Sequence, residues 1–361
     1  MQVKILHVVG ARPNFMKAAP VMRALASHAG VSQTLVHTGQ HYDANMSEIF
    51  FRQLGLPAPD VNLEVGFGSH AVQTAHIMMR FEEVALAQQP DLVLVYGDVN
   101  STVAAALVCA KLKIPVGHVE AGLRSFDRSM PEEINRLVTD QVADLLFTPS
   151  ADGNENLQRE GVAPEKIYLV GNVMIDTLIR LLPETEPRRS PSMPAPKSYG
   201  LVTLHRPANV DAPEMLVKIM GTLDEISRRL PLIFAIHPRT RQNLENIGFA
   251  PSQASFTLID PLSYLDFLTL QRHARLVITD SGGVQEETTY LGVPCLTMRP
   301  NTERPVTVEL GTNILVGADG ARLKAEVCRI LAGEGKPGTV PPLWDGNAGE
   351  RIAAVIGNFR F

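Results

Sequence analysis

Three segments near the middle of the first half of the chain decide its fold: DLVLVYGDVNST at 91–102, KIPVGHVEAGLRS at 113–125 and MPEEINR at 130–136. The first two contain apolar runs typical of buried strands, and each run ends in an acid, Asp98 or Glu120. In the third segment, Glu132 and Glu133 follow Pro131 at a predicted helix start. Because the carboxyl ends of parallel strands line one ligand crevice, these acids are predicted to converge. Since no metal-ligand pattern surrounds them, they indicate proton chemistry on a small molecule.

The same alternation of strand and helix patterns extends in both directions from these segments. Strand-like runs and a helix pattern at residues 70–88 surround them, the further runs being VKILHVV, QTLVHTG, LLFTP and KIYLVG. A second series begins beyond residue 198, with the runs YGLVTLH, LIFAIHP, FTLID, RLVITD, PCLTM and NILVG. Runs this apolar, with helices between them, predict parallel sheets covered on both faces.

We therefore predict an α/β protein with two Rossmann-like domains whose parallel sheets face each other across a cleft. The stretch PETEPRRSPSMPAPKS at 183–198 is rich in proline and lacks periodicity, which indicates an interdomain linker. The predicted domains are residues 1–182, which carry the acids, and residues 199–361. The last helical stretch, from about residue 349 to residue 358, is expected to pack back on the first domain.

Composition restricts the class of protein. The 361 residues carry a net charge of −5, which argues against a nucleic-acid-binding surface. No apolar run approaches the ~20 residues that a membrane span needs, and the N-terminus lacks the layout of a signal peptide. The three cysteines lie in apolar surroundings and predict buried thiols. A cytoplasmic protein with neither nucleic-acid nor membrane partners is expected.

Two segments suggest a phosphate site. SGGVQEETTYLG at 281–292 follows a strand, so its glycines lie where backbone N–H groups can approach an anion, and Glu286 or Glu287 can accept from a ribose diol. The segment could equally be a tight turn followed by a charged first helical turn. In GARPNFMK at 10–17, Arg12 and Lys17 can bind phosphate, or they can be two solvated cations.

A nicotinamide cofactor is not expected. GARPNFMK lacks the GxGxxG pattern, and GFGSHA at 66–71, which matches GxGxxA, does not follow the first strand. No catalytic metal is expected either, because the His118-Val119-Glu120 triplet does not complete a zinc site.

Each polar candidate could also serve the fold alone. Asp98 and Glu120 could cap helices or accept hydrogen bonds at strand ends, and His205, in LVTLHRPAN, could be a polar strand end. Pro131 fits the first helical position, which puts Glu133 at the third, where a glutamate can bond the cap backbone. Glu132 is then freer to face the cleft, and Arg136, one turn later, can orient it or hold a phosphate.

As a set, the segments resemble the non-hydrolysing UDP-N-acetylglucosamine 2-epimerases. The resemblance covers nearly the whole chain and rests on nine motifs in the family's order: GARPNFMKAAP, TGQHYDANMS, YGDVNST, HVEAGLRS, PEEINR, GNVMIDT, LHRPANVD, TDSGGVQEE and NTERPVTVELGTN. It implies a glycosyltransferase-B-like fold, UDP bound mainly by the second domain, and a homodimer. It also implies inversion at C2 of UDP-GlcNAc to give UDP-ManNAc, through elimination of UDP to a 2-acetamidoglucal and re-addition, without a cofactor.

The resemblance also implies roles for individual residues. The acid/base group is Asp98, Glu120 and Glu132. His205 and Arg136 match positions near the diphosphate and the sugar. The remaining substrate-binding positions are Arg12 and Lys17 on the phosphate side, Ser281, Gly282 and Gly283 in the phosphate loop, Glu287 at the ribose and Phe267 against the uracil.

The chain departs from the family pattern within two of the motifs. Many members have a glutamate at the position of Asn14, and many have Arg-Glu at Pro207-Ala208. Gln40 is kept while the second arginine is missing, so we expect no dependence on a second UDP-GlcNAc as activator. The departures leave a UDP-linked 2,3-diacetamido uronic acid open as the substrate. The chain could also be a hydrolysing relative, a glycosyltransferase of the same fold or a non-enzymatic nucleotide-sugar sensor.

Overall fold

Residues 1–177 together with residues 342–361 make up one structural unit, and residues 178–341 make up a second. The computed structural model describes residues 2–40, 51–188, 193–252 and 254–360. Each unit contains one parallel β-sheet with helices between its strands, so the predicted α/β class with two parallel sheets is confirmed.

The sheet of the first unit has seven strands in the order β3-β2-β1-β4-β5-β6-β7. The strands are β1 Val3–Val9, β2 Val31–His37, β3 Val61–Asn62, β4 Leu92–Tyr96, β5 Val116–Val119, β6 Leu145–Thr148 and β7 Ile167–Leu169. Every residue of β4, β5 and β6 is buried, as expected for runs covered on both faces. Strand order reverses between β1 and β4, and such a switch point opens a crevice at the carboxyl ends of the strands.

The helices of this part of the chain each follow one of its strands. They are α1 Arg12–Ala26, α2 His70–Gln88, α3 Asn100–Leu112, α4 Pro131–Val142, α5 Ala151–Arg159 and α6 Val173–Leu181. Pro131 occupies the first helical position of α4, where its missing N–H costs nothing. A short 3₁₀ helix, Pro164–Lys166, precedes β7.

The second unit has a six-stranded sheet in the order β10-β9-β8-β11-β12-β13. Its strands are β8 Gly200–Thr203, β9 Leu232–Ala235, β10 Phe256–Ile259, β11 Leu276–Thr279, β12 Cys295–Thr297 and β13 Asn313–Leu315. Its helices are α7 Pro207–Val210, α8 Pro213–Ser227, α9 Pro238–Asn246, α10 Tyr264–His273, α11 Gly282–Leu291, α12 Pro305–Glu309 and α13 Gly320–Leu331. The switch point of this sheet lies between β8 and β11.

The last helix, α14 at Ala348–Asn358, belongs to the first unit and packs on α1. The Asp176 carboxylate accepts hydrogen bonds from the backbone N–H groups of Ala348 at 3.2 Å and Gly349 at 2.7 Å, which places an acid at the helix N-terminus. Trp344 also donates its indole N–H to the carbonyl of Pro149 at 3.0 Å.

The division between the units differs from the predicted domain limits. It falls at Thr177, within α6, rather than at residue 182. Residues 182–188, which overlap the start of the Pro-rich stretch, form a 3₁₀ helix in the second unit, where Arg272 donates to Thr185 Oγ1 at 2.9 Å and Arg188 pairs with Asp266 at 2.9 Å. Proline content reveals a break in periodicity, but it does not show that these side chains have partners.

Two further predictions concern the burial of the cysteines and the membrane. Cys109 and Cys295 are buried, whereas Cys328 is partly exposed, so the prediction of three buried thiols is wrong for Cys328. Burial raises the pKa of Cys109 to about 12 and that of Cys295 to about 11, which disfavours a nucleophilic thiolate at either position. Across the described ranges, no helix combines the length and hydropathy that a membrane crossing requires.

Candidate active site

Asp98 and Glu120 follow two neighbouring strands at the same edge of the first sheet. Tyr96 at the end of β4 pairs with Val119 at the end of β5, and the N–H of Gly97 donates to the carbonyl of Val119 at 3.0 Å. The Glu120 side chain is almost fully buried, whereas that of Asp98 is 26% exposed. Glu120 has a φ of +76°, a left-handed conformation that costs a non-glycine residue about 1–3 kcal/mol. The fold thus holds both carboxylates at one sheet edge, one of them at a strained position.

Lys17 reaches Glu120 from α1. Its ammonium forms an ion pair with the Glu120 carboxylate, and both side chains are buried. Gly97, with a φ of +64°, makes room for this pair, because a Cβ there would overlap Lys17 Nζ and lie 3.2 Å from Glu120 Oε2. The structure therefore gives Lys17 a carboxylate partner, while its predicted role on the phosphate side stays a prediction.

Arg136, on α4, joins Asp98 to Glu133. Its guanidinium is buried and forms ion pairs with both carboxylates, and its Nη2 lies 3.4 Å from Ser125 Oγ. Arg136 was predicted to orient Glu132 or hold a phosphate. The acids in its ion pairs are Asp98 and Glu133 rather than Glu132, and its predicted contact with a phosphate stays a prediction.

Glu133 holds a loop rather than the helix cap. Its carboxylate accepts hydrogen bonds from the N–H groups of Ser125 at 3.0 Å and Phe126 at 2.8 Å. The prediction that it bonds the cap backbone is wrong, because the N–H of the cap residue Met130 donates to Asp127 O. Burial raises the pKa of Glu133, but the donors from Ser125 and Arg136 outweigh it and hold that pKa below its usual range.

Glu132 differs from its neighbour. It is half-buried at the second helical position of α4, and it forms no hydrogen bond or ion pair with any residue that the structure describes. The helix start is tied to the Asp98 segment by Asn135, which donates to the carbonyl of Asp98 at 2.9 Å. The structure thus brings the segments of all three predicted acids together.

A buried polar network lies behind these acids. His118 Nε2 is 2.7 Å from the carbonyl of Gly97, and its Nδ1 is 2.6 Å from Asp140 Oδ1. Asp140 Oδ2 contacts Arg124 Nη2 at 2.7 Å and accepts from Gly122 N at 3.1 Å. Burial raises the pKa of Asp140, but the charges of His118 and Arg124 outweigh it and hold that pKa low. The local signal of this network in the sequence is a histidine within β5, two residues before Glu120.

Asn14, one of the departures from the family pattern, closes the turn after β1. Its Oδ1 accepts from the N–H groups of Gly10 at 3.1 Å and Ala11 at 3.0 Å, and its Nδ2 donates to the carbonyl of Tyr96 at 2.7 Å. An ionised glutamate could not donate to Tyr96. Arg12 begins α1 beside this turn and is half-buried.

Gln40 lies at the end of the described part of the TGQHYDANMS motif. Its Oε1 accepts from the N–H of Ser101 at 3.1 Å and from Ser101 Oγ at 2.7 Å, at the start of α3. The rest of the motif, from residue 41 onward, lies outside the described residues.

His205 follows β8 at the switch point of the second sheet. Its Nδ1 lies 3.0 Å from Oδ1 of Asp280, which is fully buried, whereas the His205 side chain is 46% exposed. Asp280 directly follows β11, and its carboxylate also accepts from the N–H of Arg206 at 2.9 Å and from Asn209 Nδ2 at 2.9 Å. Burial lowers the pKa of the nearby His237, and its neighbours His205 and Arg239 lower that pKa further.

The SGG segment forms the start of α11, as predicted. Ser281 is the N-cap residue, and its side chain makes no cap hydrogen bond. A Cβ on Gly282 would lie 2.7 Å from Glu303 Oε1, so this position is closely packed against a charged cluster. Glu303 is buried and pairs with Arg299 at 2.7 Å and with Arg304. Burial raises the pKa of Glu303, and these arginines lower it by more.

The other two candidates in this unit lie on α10 and α11. Glu287 is buried, and its Oε1 accepts a hydrogen bond from the Tyr264 hydroxyl at 2.9 Å. Phe267 is half-buried and packs against an apolar cluster that includes Leu270 and Val284. Their predicted contacts with ribose and uracil stay predictions.

The sequence patterns indicated no role for Asp280 or Asp140, and they raised His118 only as a zinc ligand. Asp280 had a signal, because it ends the apolar run RLVITD as Asp98 ends LVLVYGD. The part of the chain that the structure describes holds no cluster of three His, Cys, Asp or Glu side chains suited to a metal ion.

The fold and these sites define a class of protein, the glycosyltransferase-B-like α/β enzymes that act on nucleotide sugars. Residues 23–357 match the family model of UDP-N-acetylglucosamine 2-epimerase. The chain belongs to this epimerase family.

Individual relatives agree with that assignment. A UDP-N-acetylglucosamine 2-epimerase of Methanocaldococcus jannaschii is 43% identical over 98% of this chain and 99% of its own. A UDP-2,3-diacetamido-2,3-dideoxy-D-glucuronate 2-epimerase of Pseudomonas aeruginosa is 46% identical over 88% of this chain and 89% of its own. The crystal structure of the M. jannaschii UDP-GlcNAc 2-epimerase in complex with UDP-GlcNAc and UDP has a TM-score of 0.91, at 42% identity, covering 99% of this chain and 100% of that one.

Proposed function

We propose that this enzyme inverts C2 of the sugar in UDP-GlcNAc to give UDP-ManNAc. The observation that carries the proposal is the pair of acids at neighbouring strand ends, Asp98 and Glu120, each held by a buried cation. Such an arrangement fixes carboxylates for proton transfer. The Glu132 side chain, on the helix tied to Asp98, adds a third acid.

The chemistry explains why a nucleotide site is needed as well. The C2 proton of the sugar is not next to a carbonyl, so its direct removal is unfavourable. When the C1–O bond breaks, its electron pair goes to UDP and C1 gains oxocarbenium character, which acidifies C2. A carboxylate then takes the C2 proton and the C1=C2 bond of 2-acetamidoglucal forms. Return of a proton to the other face of C2, with UDP oxygen attacking C1, gives the epimer.

The second unit supplies groups suited to the diphosphate. The start of α11, with Ser281 to Gly283, offers backbone N–H groups and the positive end of a helix dipole. His205, held by Asp280, offers an exposed imidazole that can donate to the leaving oxygen. The proposed reaction uses these groups together with the acids of the first unit.

The test is incubation with UDP-GlcNAc in D₂O, followed by NMR of the sugar. We expect deuterium at C2 in both UDP-GlcNAc and UDP-ManNAc. Release of free ManNAc would instead identify a hydrolysing enzyme, and an unchanged sugar would refute both. The initial rate is expected to rise hyperbolically with UDP-GlcNAc concentration, because we propose no activation by a second substrate molecule.

A second candidate substrate is a UDP-linked 2,3-diacetamido uronic acid. The P. aeruginosa relative that is named for this reaction is 46% identical to the chain. The measurement that decides is the ratio of kcat/KM for the two UDP-sugars under the same conditions. A larger kcat/KM for the uronic acid would replace UDP-GlcNAc as the substrate while leaving the 2-epimerase chemistry in place.

We also propose that the protein is a cytoplasmic homodimer that supplies an activated amino sugar for cell-surface polysaccharide. Support for the dimer comes from α2, where Val72, Met79 and Leu86 recur every seventh residue and are 49%, 66% and 58% exposed. Residues so spaced lie on one face of a helix, where a second copy could cover them. Sedimentation of the wild type should give twice the chain mass. Met79→Lys should shift it toward one chain mass, and Val217→Lys, at an exposed apolar position on α8 of the second unit, should not.

A further inference from the structure

The carboxylate of Asp280 is surrounded by hydrogen-bond donors. Besides His205 Nδ1 at 3.0 Å, it accepts from the backbone N–H groups of His205 at 3.1 Å and Arg206 at 2.9 Å, and from Asn209 Nδ2 at 2.9 Å. Burial raises the pKa of Asp280, but these partners, with His205 first, outweigh it and hold that pKa below its usual value. Asp280 is therefore a buried, ionised acceptor.

This contact fixes the proton position on the His205 ring. A neutral imidazole carries one N–H and one acceptor nitrogen, and a carboxylate can only accept. Nδ1, which faces Asp280, must then carry the proton. The two ring nitrogens lie on opposite sides of the ring, so the exposed side of His205 presents Nε2.

We infer that Asp280 is a positioning residue, which holds His205 in the tautomer with the proton on Nδ1 and makes Nε2 the atom that exchanges a proton with the substrate. The part of this inference that concerns substrate rests on the proposed function. There, Nε2–H of the protonated ring gives its proton to the UDP oxygen as the C1–O electron pair moves onto that oxygen. Nε2 takes the proton back when the same oxygen attacks C1.

Asp280→Asn tests the inference because it reverses one hydrogen bond. The amide oxygen of asparagine is expected to face Arg206 N and Asn209 Nδ2, which leaves the amide nitrogen opposite His205 Nδ1. An amide N–H there must donate, so the neutral ring would shift its proton to Nε2. The matched control is Asp224→Asn, because Asp224 is also buried in the second unit and accepts from the N–H of Ser252 at 2.8 Å, away from His205.

The first readout needs no substrate. NMR of protein labelled with ¹⁵N-histidine, with His205 assigned through His205→Asn, reports which ring nitrogen carries the proton. We expect Nδ1–H in the wild type and in Asp224→Asn, and Nε2–H in Asp280→Asn. A wild-type His205 with its proton on Nε2 would overturn the inference, even if the Asp280 variant failed to fold.

The second readout is kinetic. Asp280→Asn is expected to lower kcat by about 10–100-fold, with KM and UDP affinity changed less than about threefold, since general acid–base catalysis contributes at least this much. On a His205→Asn background, Asp280→Asn should cause no further loss, because the two residues act as one unit. Losses that multiply, or an equal loss in Asp224→Asn, would show a merely structural role. If the wild type left UDP-GlcNAc unchanged, the proposed function would fail while the NMR result still decided the tautomer.

Discussion

Both units place an acidic side chain directly after a strand, but this acid serves a different purpose in each unit. In the first unit, acids at the ends of β4 and β5 are neutralised by buried partners, Lys17 for Glu120 and Arg136 for Asp98. In the second unit, the strand-end acid Asp280 is the buried partner, and it holds a histidine that is half exposed. The first arrangement fixes charges inside the protein, and the second presents a group to a ligand.

This difference predicts whether a single substitution lowers stability and turnover or lowers affinity for a ligand. Removing one member of a buried ion pair leaves an uncompensated charge and costs about 3–5 kcal/mol of stability. Removing a donor from a ligand site instead costs binding energy, about 1.4 kcal/mol for each tenfold loss of affinity. Substitutions at the acids of the first unit should therefore affect stability and turnover, and those at the start of α11 in the second unit mainly affinity for the nucleotide.

The largest effect is expected for Asp98→Asn, which should lower kcat by about 10²–10⁴-fold because it removes a proton-transfer group. Affinity for UDP, measured by calorimetry, should stay within about twofold of wild type. Asp91→Asn is the matched control, since Asp91 precedes the same strand, β4, at its other end and accepts from the N–H of Lys4 at 2.8 Å. Equal losses of UDP affinity and turnover in Asp98→Asn would contradict the acid/base role, and Glu132→Gln should behave like Asp98→Asn.

Lys17→Met comes next. It leaves the buried Glu120 carboxylate without its ammonium partner, so the free energy of unfolding should fall by about 3–5 kcal/mol in urea denaturation. Lys111→Met, at an exposed position near the end of α3, should change it by less than about 0.5 kcal/mol. If Lys17→Met unfolded at the wild-type urea concentration, the ion pair would not be what fixes Glu120.

Alanine substitutions at two glycines distinguish the cost of backbone strain from the cost of crowding around the Lys17–Glu120 ion pair. Gly97 and Gly55 have φ angles of +64° and +65°, but only Gly97 has neighbours where a Cβ would go. Both alanine variants should lose the roughly 1 kcal/mol typical of a left-handed alanine, and Gly97→Ala a further 1–2 kcal/mol for displacing Lys17. Turnover should fall in Gly97→Ala alone. Identical losses of stability in the two variants would refute the crowding argument.

In the second unit, Gly282→Ala should lower the affinity for UDP. A Cβ there would lie 2.5 Å from Arg304 Nη1 and 2.7 Å from Glu303 Oε1, so either this buried ion pair or the start of α11 must shift. We expect UDP binding to weaken about tenfold, or roughly 1.4 kcal/mol. Gly221→Ala, in α8 with nothing within 4 Å of the new Cβ, should leave UDP binding unchanged and stabilise the protein by about 0.5–1 kcal/mol. Unchanged UDP affinity in Gly282→Ala would remove the phosphate role from this turn.

The smallest effect is expected when the pH is lowered and the free energy of unfolding is measured. The pKa values of Asp140 and Asp280 are held low in the fold, so the stability they contribute is present above the unfolded value of about 3.9 and is lost as pH falls through their folded values. Between pH 5 and 8 these two groups should leave the free energy of unfolding unchanged. Below about pH 4, urea denaturation should show a steeper loss in the wild type than in Asp140→Asn, and parallel curves would contradict the lowered pKa.

The residues that directly follow a strand could be located from the sequence, but the residues that pair with them could not. Apolar runs ending in Asp98, Glu120 and His205 place these side chains without knowledge of the remaining chain. The partner of Glu120 is Lys17, 103 positions earlier, and only the strand order of the sheet brings them together.

Glu133 shows the same limit at short range. Helix position alone predicts a bond to the cap residue Met130, whose N–H is in fact taken by Asp127. The donors that Glu133 does use, Ser125 and Phe126, depend on how the preceding loop folds over the helix, and no local pattern specifies that path.

The return of α14 to the first unit has a consequence for biosynthesis. Residues 178–341 form one continuous segment, so the second unit is complete as soon as that segment has left the ribosome. The first unit, although its synthesis begins earlier, lacks residues 342–361 until these too have emerged, and α1 stays uncovered where α14 will pack. Domains usually fold in the order of their synthesis. Here the half that carries the acids is the last to be finished.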